Sequence, residues 1–352
     1  MNRHVHIVCS SCPYPADHGR SIDIFEKIVA LYNEDIKIHL HYFGCTEDKN
    51  VQELNHYCDT IGIYRTQKEN ENLARCMCKD NFPLLVEGLH STEILNWVDP
   101  DKRKVLVLLY NDASAGNSKP GFFQKIFLWN ENKRKKHQPG LRKDCLYVCL
   151  SQKDAEILRE KYQVSNVTSL PAFVPWYEVK CQEGMGHFCL YHGNLSVPTN
   201  EKAAIWLLEK VFSELRYPFV IAGKDPSRRI NKLAQLYSHT CVVANPSEKQ
   251  INELVQKAHI NIIPSLQSVC GRYKLLHSLF EGRHCITNDT MIENTDLEKA
   301  CHIANDSGSK IMTIKNLMNQ PFTAGEIELR KNLLLPRYDN SKNICSLLDW
   351  LY

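Results

Sequence analysis

Several features are scarce or missing in this 352-residue chain. No apolar run approaches the roughly 20 residues that a helix needs to cross a bilayer, so the expectation is a soluble or at most peripheral protein. Charge of one sign is missing too: 43 Lys plus Arg oppose 40 Asp plus Glu, and the net +3 creates no global field of the kind that nucleic-acid binding demands. No solenoid-length repeat and no low-complexity tract is present, which sets aside repeat arrays and disordered segments. A paired cysteine framework is also absent. The 15 cysteines are odd in number and scattered, and Met1-Asn2-Arg3-His4 runs straight into a strand with no signal peptide, so a reducing cytoplasm is the expected compartment.

What is present is ample core material. The chain is 43% apolar and 24% charged, and its length suits two domains of ordinary size. Residues 4–10 read as a strand, followed by a Pro-rich loop and an apolar-periodic helix over 21–32. Further strands are expected at 36–43, 59–64, 84–87, 104–109 and 146–150, with helical segments such as 91–97 between several of them. Residues 152–162 form a well-patterned helix that Ser151 would cap. Pro and Gly accumulate over 171–186 and regular patterning stops, as in a linker. The cycle then restarts, with strands at 187–192, 219–222, 240–244, 260–264 and 284–287 and helices at 200–215, 228–236, 247–258 and 272–281. A last helix near 341–351 offers Leu347, Leu348, Trp350 and Leu351 for burial. This alternation predicts an α/β chain: a first doubly wound domain over 1–170, a linker over 171–186, a second domain over 187–335, and a C-terminal helix over 336–352 packing back on the first domain.

In such sheets, ligands meet loops at the carboxyl ends of strands. The most informative segment is 260–288, INIIPSLQSVCGRYKLLHSLFEGRHCITN. Here a strand ends in Pro264-Ser265 and a loop leads to Gly271 at the start of a helix carrying Arg272, Tyr273 and Lys274. Glycine allows close backbone approach, first-turn N–H groups donate to an anion, and two cations oppose the helix dipole unless an anion is bound there. That combination suits a diphosphate. The plainer reading is a solvated helix start. Two further loops follow the same logic: Gly193-Asn194 within YHGNLSVPTN, and Gly223-Lys224 ending FVIAGK.

Taken in order, these loops make the second half resemble the nucleotide-sugar domain of retaining GT-B glycosyltransferases, the group that includes many bacterial mannosyl- and glucosyltransferases. The resemblance covers about residues 193–288 and, by weaker cues, nearly the whole chain. It implies two Rossmann-like domains facing a central cleft, and transfer of a sugar from a nucleotide-diphosphate donor to a hydroxyl with retention. No metal or other cofactor is implied. It also implies that Asn245-Pro246 contacts the base, that Ser265 and Tyr273 line the phosphate-to-ribose segment, and that His90 at the end of LLVEGLHS touches the transferred sugar. Gly19-Arg20, after the first strand, would form the glycine-containing loop of the acceptor domain; by itself that segment reads equally as a simple turn. The chain departs from the family pattern at His277, where a glutamate usually binds ribose, and at Leu108 and Tyr110, where a strand usually ends Arg-x-His-Asn. Those departures support a rival, a catalytically silent GT-B protein that binds a nucleotide or partner. An epimerase of the same shape would need cleft carboxylates, for which Asp17 and Asp112 are the candidates.

Two other signals carry less. Cys9-Ser10-Ser11-Cys12 has redox-pair spacing, but Pro13 and Pro15 oppose a helix through the motif, and no second pair completes a zinc site. Residues 122–143 mix aromatics with many basic residues, as a solvated connector or as a face laid on an anionic membrane carrying a lipid-linked acceptor. Glycan or protein hydroxyls are the other expected acceptors.

Overall fold

The computed structural model describes residues 3–17, 19–44, 48–65, 69–99, 101–110, 142–161, 163–265 and 272–352. The chain divides into two compact units, Met1–Pro175 with Tyr338–Tyr352, and Trp176–Arg337.

In the first unit, β1 (His4–Cys9), α1 (Gly19–Asn33), β2 (Lys37–Phe43), α2 (Asp48–Leu54), β3 (Thr60–Tyr64), α3 (Asn70–Met77), β4 (Leu84–Glu87) and β5 (Val105–Leu109) alternate. They are followed by β6 (Leu146–Cys149), α4 (Gln152–Lys161) and β7 (Val167–Ser169). The sheet runs β3-β2-β1-β4-β5-β6-β7, and its strand pairs are parallel. Parallel strands covered on both faces must be apolar throughout, and β4 and β5 are buried at every position. Residues 91–97, expected to be helical, fall in a 3-10 helix over Leu89–Asn96 that Trp97 caps. Ser151 caps α4, its Oγ accepting from Asp154 N at 3.1 Å.

The second unit repeats the plan with β8 (Cys189–His192), α5 (Pro198–Lys210), β9 (Phe219–Gly223), α6 (Arg228–Gln235), β10 (Thr240–Ala244), α7 (Glu248–Lys257) and β11 (Ile260–Ile262). Then come α8 (Arg272–Glu281), β12 (His284–Thr287), α9 (Asp289–Ile292), β13 (His302–Ile303), α10 (Ser307–Leu317) and α11 (Ala324–Leu334). Its order is β10-β9-β8-β11-β12-β13, again with parallel pairs. The helix expected to reach residue 215 stops at Lys210. There Val211 leaves helical φ/ψ, and the chain turns Val211, Phe212 and Leu215 into the core.

The last helix, α12 (Asn340–Leu351), belongs with the first unit and packs on α1 and β5. Asp339 caps it by accepting from Ser341 N and Lys342 N, and Ile344, Leu347, Leu348 and Leu351 form its buried stripe. Each such side chain contributes about 1.5–3 kcal/mol. Trp350 is half-buried.

Alternation along β1 and β2 places His4, His6, His39 and His41 together, with His6 opposite His39 in register. His6 Nδ1 lies 2.9 Å from His41 Nε2, and His4 Nδ1 lies 3.0 Å from His39 Nε2. Asp80 closes one end of this chain of rings, at 3.2 Å from His6 Nε2. Burial lowers the pKa of His6 to about 4, against a partial rise from Asp80, and that of His41 to about 3.

The cysteines among the described residues are all free, Cys9 and Cys12 included. Cys9 is buried, and burial raises its thiol pKa well above the ordinary range, so it has none of the thiolate character of a redox pair. No helix among the described residues is long and apolar enough to cross a membrane.

Candidate functional site

In the second sheet the strand order reverses between β8 and β11, the place where doubly wound sheets open a crevice at their carboxyl ends. The loop after β8 begins with Gly193 at φ +148°, and its N–H donates to Ala222 O at 3.0 Å. Leu195 N donates to Lys224 O at 2.9 Å and Asn245 N to Gly223 O at 2.9 Å, so the ends of β8, β9 and β10 are tied in one row. Gly193 is required by its backbone angle and Gly223 by space. A Cβ on Gly223 would lie 1.8 Å from Gly193 O, and a Cβ on Gly193 would lie 2.5 Å from Lys274 Nζ. Asn245, at φ +50°, accepts from Asp225 N at 2.8 Å; it is exposed and Pro246 beside it is half-buried.

Lys274 reaches this row from the first turn of α8. Its Nζ donates to Asn200 Oδ1 at 2.7 Å and stands 5.6 Å from the Tyr191 ring centroid. Asn200 in turn donates to Asn194 O at 2.7 Å, and Asn194 Oδ1 accepts from Ser196 N at 3.0 Å, which sets the loop. Among the described residues no carboxylate pairs with Lys274. A cation held only by a neutral amide loses hydration without gaining an opposite charge, and burial lowers its pKa to about 8.

Two imidazoles complete the arrangement. His192 ends β8 and His277 lies one turn beyond Lys274; their rings meet edge to face at 5.6 Å. His277 is stacked on Trp176, with centroids 5.1 Å apart. Both side chains are more than nine-tenths buried, and the Nε2 of each has no hydrogen-bond partner. Burial lowers the pKa of His277 to about 4 and that of His192 well below its ordinary value, the latter with help from His277 and Lys274. Buried polar atoms without partners are rare because each forfeits its hydration, and two together mark a place where a ligand can supply the missing bonds.

Around the start of α8, Asn288 clamps Ser265, accepting from its N–H at 2.9 Å and donating to its carbonyl at 2.7 Å. Tyr273 is buried. Arg272 Nη2 donates to Glu293 O at 2.8 Å, which anchors its guanidinium on the backbone beyond β12. Gly271 lies outside the described residues. Lys224 is exposed at the end of β9.

The first sheet reverses between β1 and β4, and Arg20 comes to that point from the second residue of α1, Gly19 being the first. Arg20 Nη1 lies 3.4 Å from Ser10 Oγ, and its Cζ lies 4.8 Å from the Tyr110 ring centroid. Gly88, at φ +86°, makes room: a Cβ there would lie 2.9 Å from Arg20 Nη2. Beneath lies a fully buried cluster. Lys27 Nζ donates to Asp23 Oδ2 at 3.1 Å and to Glu87 Oε1 at 2.8 Å, and Asp23 Oδ1 accepts from Phe173 N at 2.7 Å. The Tyr110 hydroxyl touches both Asp23 Oδ2 and Glu87 Oε2. Burial raises the Glu87 pKa, against the pull of Lys27. For Lys27, burial opposes the charge, but Asp23 and Glu87 more than offset it and its pKa is raised.

The His90 side chain, Asp112, and residues 122–141 of the basic aromatic stretch lie outside what the structure describes. Asp23 and Glu87, at the first switch point, are both engaged internally, and Asp17, in the loop after β1, is exposed. Sequence reasoning named the glycines and Lys274 but missed His192, Asn200 and Trp176. His192 was readable as the residue immediately before Gly193 at a strand end; Trp176 stood in the linker, where no periodicity marks a contact.

Two parallel sheets with this order and these loops define the GT-B architecture, and solved structures place the chain within it. No protein-family model matches the chain. It is similar over its length to S. aureus TarM, crystallised as a mutant with Fondaparinux, alpha-GlcNAc-glycerol and UDP, at a TM-score of 0.72 and 9% identity over 99% of both chains. Anabaena HepE in complex with UDP and glucose aligns at a TM-score of 0.66 and 9% identity, covering 99% of this chain and all of the other. In sequence, an uncharacterized 44.6 kDa protein in the cps region of Klebsiella pneumoniae is 22% identical over 363 residues, spanning 89% of each chain.

Proposed function

We propose that this protein is a hexosyltransferase that moves a sugar from a nucleoside-diphosphate donor to a hydroxyl acceptor with retention, in polysaccharide or glycoconjugate synthesis. One observation carries the reading: at the carboxyl edge of β8 and β9, a lysine without a carboxylate lies against Gly193, and the residue before that glycine, His192, pairs with His277 to leave two buried imidazole nitrogens without partners. The complexes of TarM and HepE with UDP support a nucleotide donor, and the cps-region relative supports a polysaccharide product.

In this reaction the bond from the anomeric carbon to the donor phosphate oxygen breaks. The acceptor oxygen takes the carbon, and its proton passes to the departing diphosphate. Negative charge therefore grows on the diphosphate, and its stabilisation is assigned to Lys274, Arg272 and the first-turn N–H groups of α8. Lys274 is half-buried, and a cation in a poorly hydrated place stabilises such charge more than one in water. Arg20 is assigned to phosphate or acceptor, His277 to a ribose hydroxyl, Asn245 and Pro246 to the base, and His90 to the transferred sugar. No metal or other cofactor is invoked in the transfer. The acceptor is a glycan, lipid-linked or protein hydroxyl, and residues 122–143 suit peripheral contact with the inner face of a membrane.

The second reading, a catalytically silent nucleotide-binding protein, rests on His277, which offers one neutral nitrogen where a carboxylate would give two acceptor oxygens. Thermal stabilisation by nucleoside diphosphates and nucleotide sugars, followed by donor hydrolysis in wild type and Lys274→Ala, separates the readings. Stabilisation and turnover that both fall in the variant support the transferase. Stabilisation without hydrolysis or transfer supports the silent protein, and stabilisation by none of the nucleotides refutes both.

A further inference from the structure

His284 opens β12 at the amino edge of the second sheet, and His302, the first residue of the edge strand β13, lies beside Ile286, two residues further along β12. Glu326 comes to the same place from the first turn of α11. Their donor atoms converge, all lying within 4.8 Å of one another. His284 Nδ1 is 3.3 Å from His302 Nε2 and 3.4 Å from Glu326 Oε1. A tetrahedral zinc ion with bonds of about 2.0–2.1 Å sets neighbouring donor atoms about 3.3–3.4 Å apart, the same spacing.

The surroundings orient these atoms for a cation. His284 Nε2 lies 3.1 Å from Gln320 O, and a carbonyl only accepts, so the ring proton sits on Nε2 and Nδ1 is left as a bare lone pair. A backbone carbonyl fixing the far nitrogen in this way is the usual support for a metal-bound imidazole. Glu326 is held likewise. Its Oε2 accepts from Thr323 N at 2.8 Å and Thr323 Oγ1 at 2.9 Å in the capping box, which leaves Oε1 turned to His284. The Nδ1 lone pair and Glu326 Oε1 therefore face each other at 3.4 Å, two electron-rich atoms that a cation between them would join.

The neighbouring groups leave the triad to itself. His259, edge to face with His284, has both nitrogens engaged, by Gly186 N at 3.0 Å and by Leu317 O at 2.7 Å. The Arg330 guanidinium lies over the Phe322 ring and donates to the carbonyls of Gly282 and Arg283.

We propose that His284, His302 and Glu326 form a structural binding site for a zinc-type divalent cation, with the fourth position taken by water. Such an ion joins helix α11 to β12 and to the two-residue edge strand β13 paired beside it. It stands apart from the transfer reaction.

Tag-free full-length protein stripped with a chelator and titrated with zinc chloride tests the site by calorimetry and metal analysis. Cobalt substitution reads out the geometry through the strong visible absorption of four-coordinate cobalt. The expected result is one equivalent per chain, a raised Tm, and affinity about a hundredfold or more weaker in His302→Ala and Glu326→Gln, since even removing a supporting partner weakens metal sites 10–100-fold. Glutamine at this position preserves the capping box, so Glu326→Gln is expected to fold, as far-UV circular dichroism can check. Wild-type protein that takes up no stoichiometric zinc overturns the proposal. So does zinc bound equally well by both variants.

Discussion

Raising the pH from 7 to 9.5 should remove the proton from Lys274 in the free protein, because burial has brought its pKa down to about 8. A diphosphate seated on Nζ holds that proton, so binding draws a proton from solution whenever the free lysine is neutral. The sign follows: affinity is flat well below pH 8 and falls above it. At pH 9 about one free molecule in eleven carries the charge, so affinity drops about tenfold from its plateau, or about 1.4 kcal/mol. The second phosphate ionisation, near pH 6, is complete across this window, so the ligand does not contribute to the slope. Titration calorimetry with UDP in two buffers of different ionisation enthalpy should show uptake of about half a proton at pH 8 and about 0.9 at pH 9. Lys274→Met should bind more weakly at pH 7 with no uptake, and Lys274→Arg should restore binding with a flat profile. A wild-type affinity constant from pH 7 to 9.5, with no proton uptake, would refute the assignment of Lys274 to the diphosphate.

Gly193→Ala should lower stability by about 1–3 kcal/mol in urea unfolding through its positive φ, and weaken diphosphate binding at least tenfold by displacing Lys274; unchanged binding would separate this lysine from the ligand. Acid should unfold the first unit through His6 and His41. Their folded pKa values, about 4 and about 3, lie below the ordinary 6.5, so the unfolded chain takes up protons first. Stability should therefore decline by about 1.4 kcal/mol per pH unit for each histidine as pH falls from about 6.5 toward those values. The double variant His6→Gln, His41→Gln should show a flatter Tm against pH from 4 to 7, and an equally steep profile would sink the argument.

The parts of the fold and site that could be read from the sequence are those whose signals are local. Helix α8 and strand β12 follow from apolar periodicity and from the charged start at Arg272, and Gly193 and Gly223 from their position after strands. β7 and β13, of three and two residues, are too short for alternation to show. The partners that give the site its chemistry are non-local. Asn200 meets Lys274 across 74 residues, and His192 meets His277 because β8 and β11 are neighbours in the sheet. The i,i+4 spacing of Asp23 and Lys27 is visible in the chain, yet nothing in it shows that Glu87 and Tyr110 arrive to bond with them.

That cluster has a consequence for the face above it. The Tyr110 ring on which Arg20 lies has its hydroxyl held from below by Asp23 and Glu87, and Lys27 grips the same two acids, so the platform under the arginine is set by buried polar contacts as well as by packing. Truncating either acid would loosen the ring and, with it, the surface on which the arginine rests.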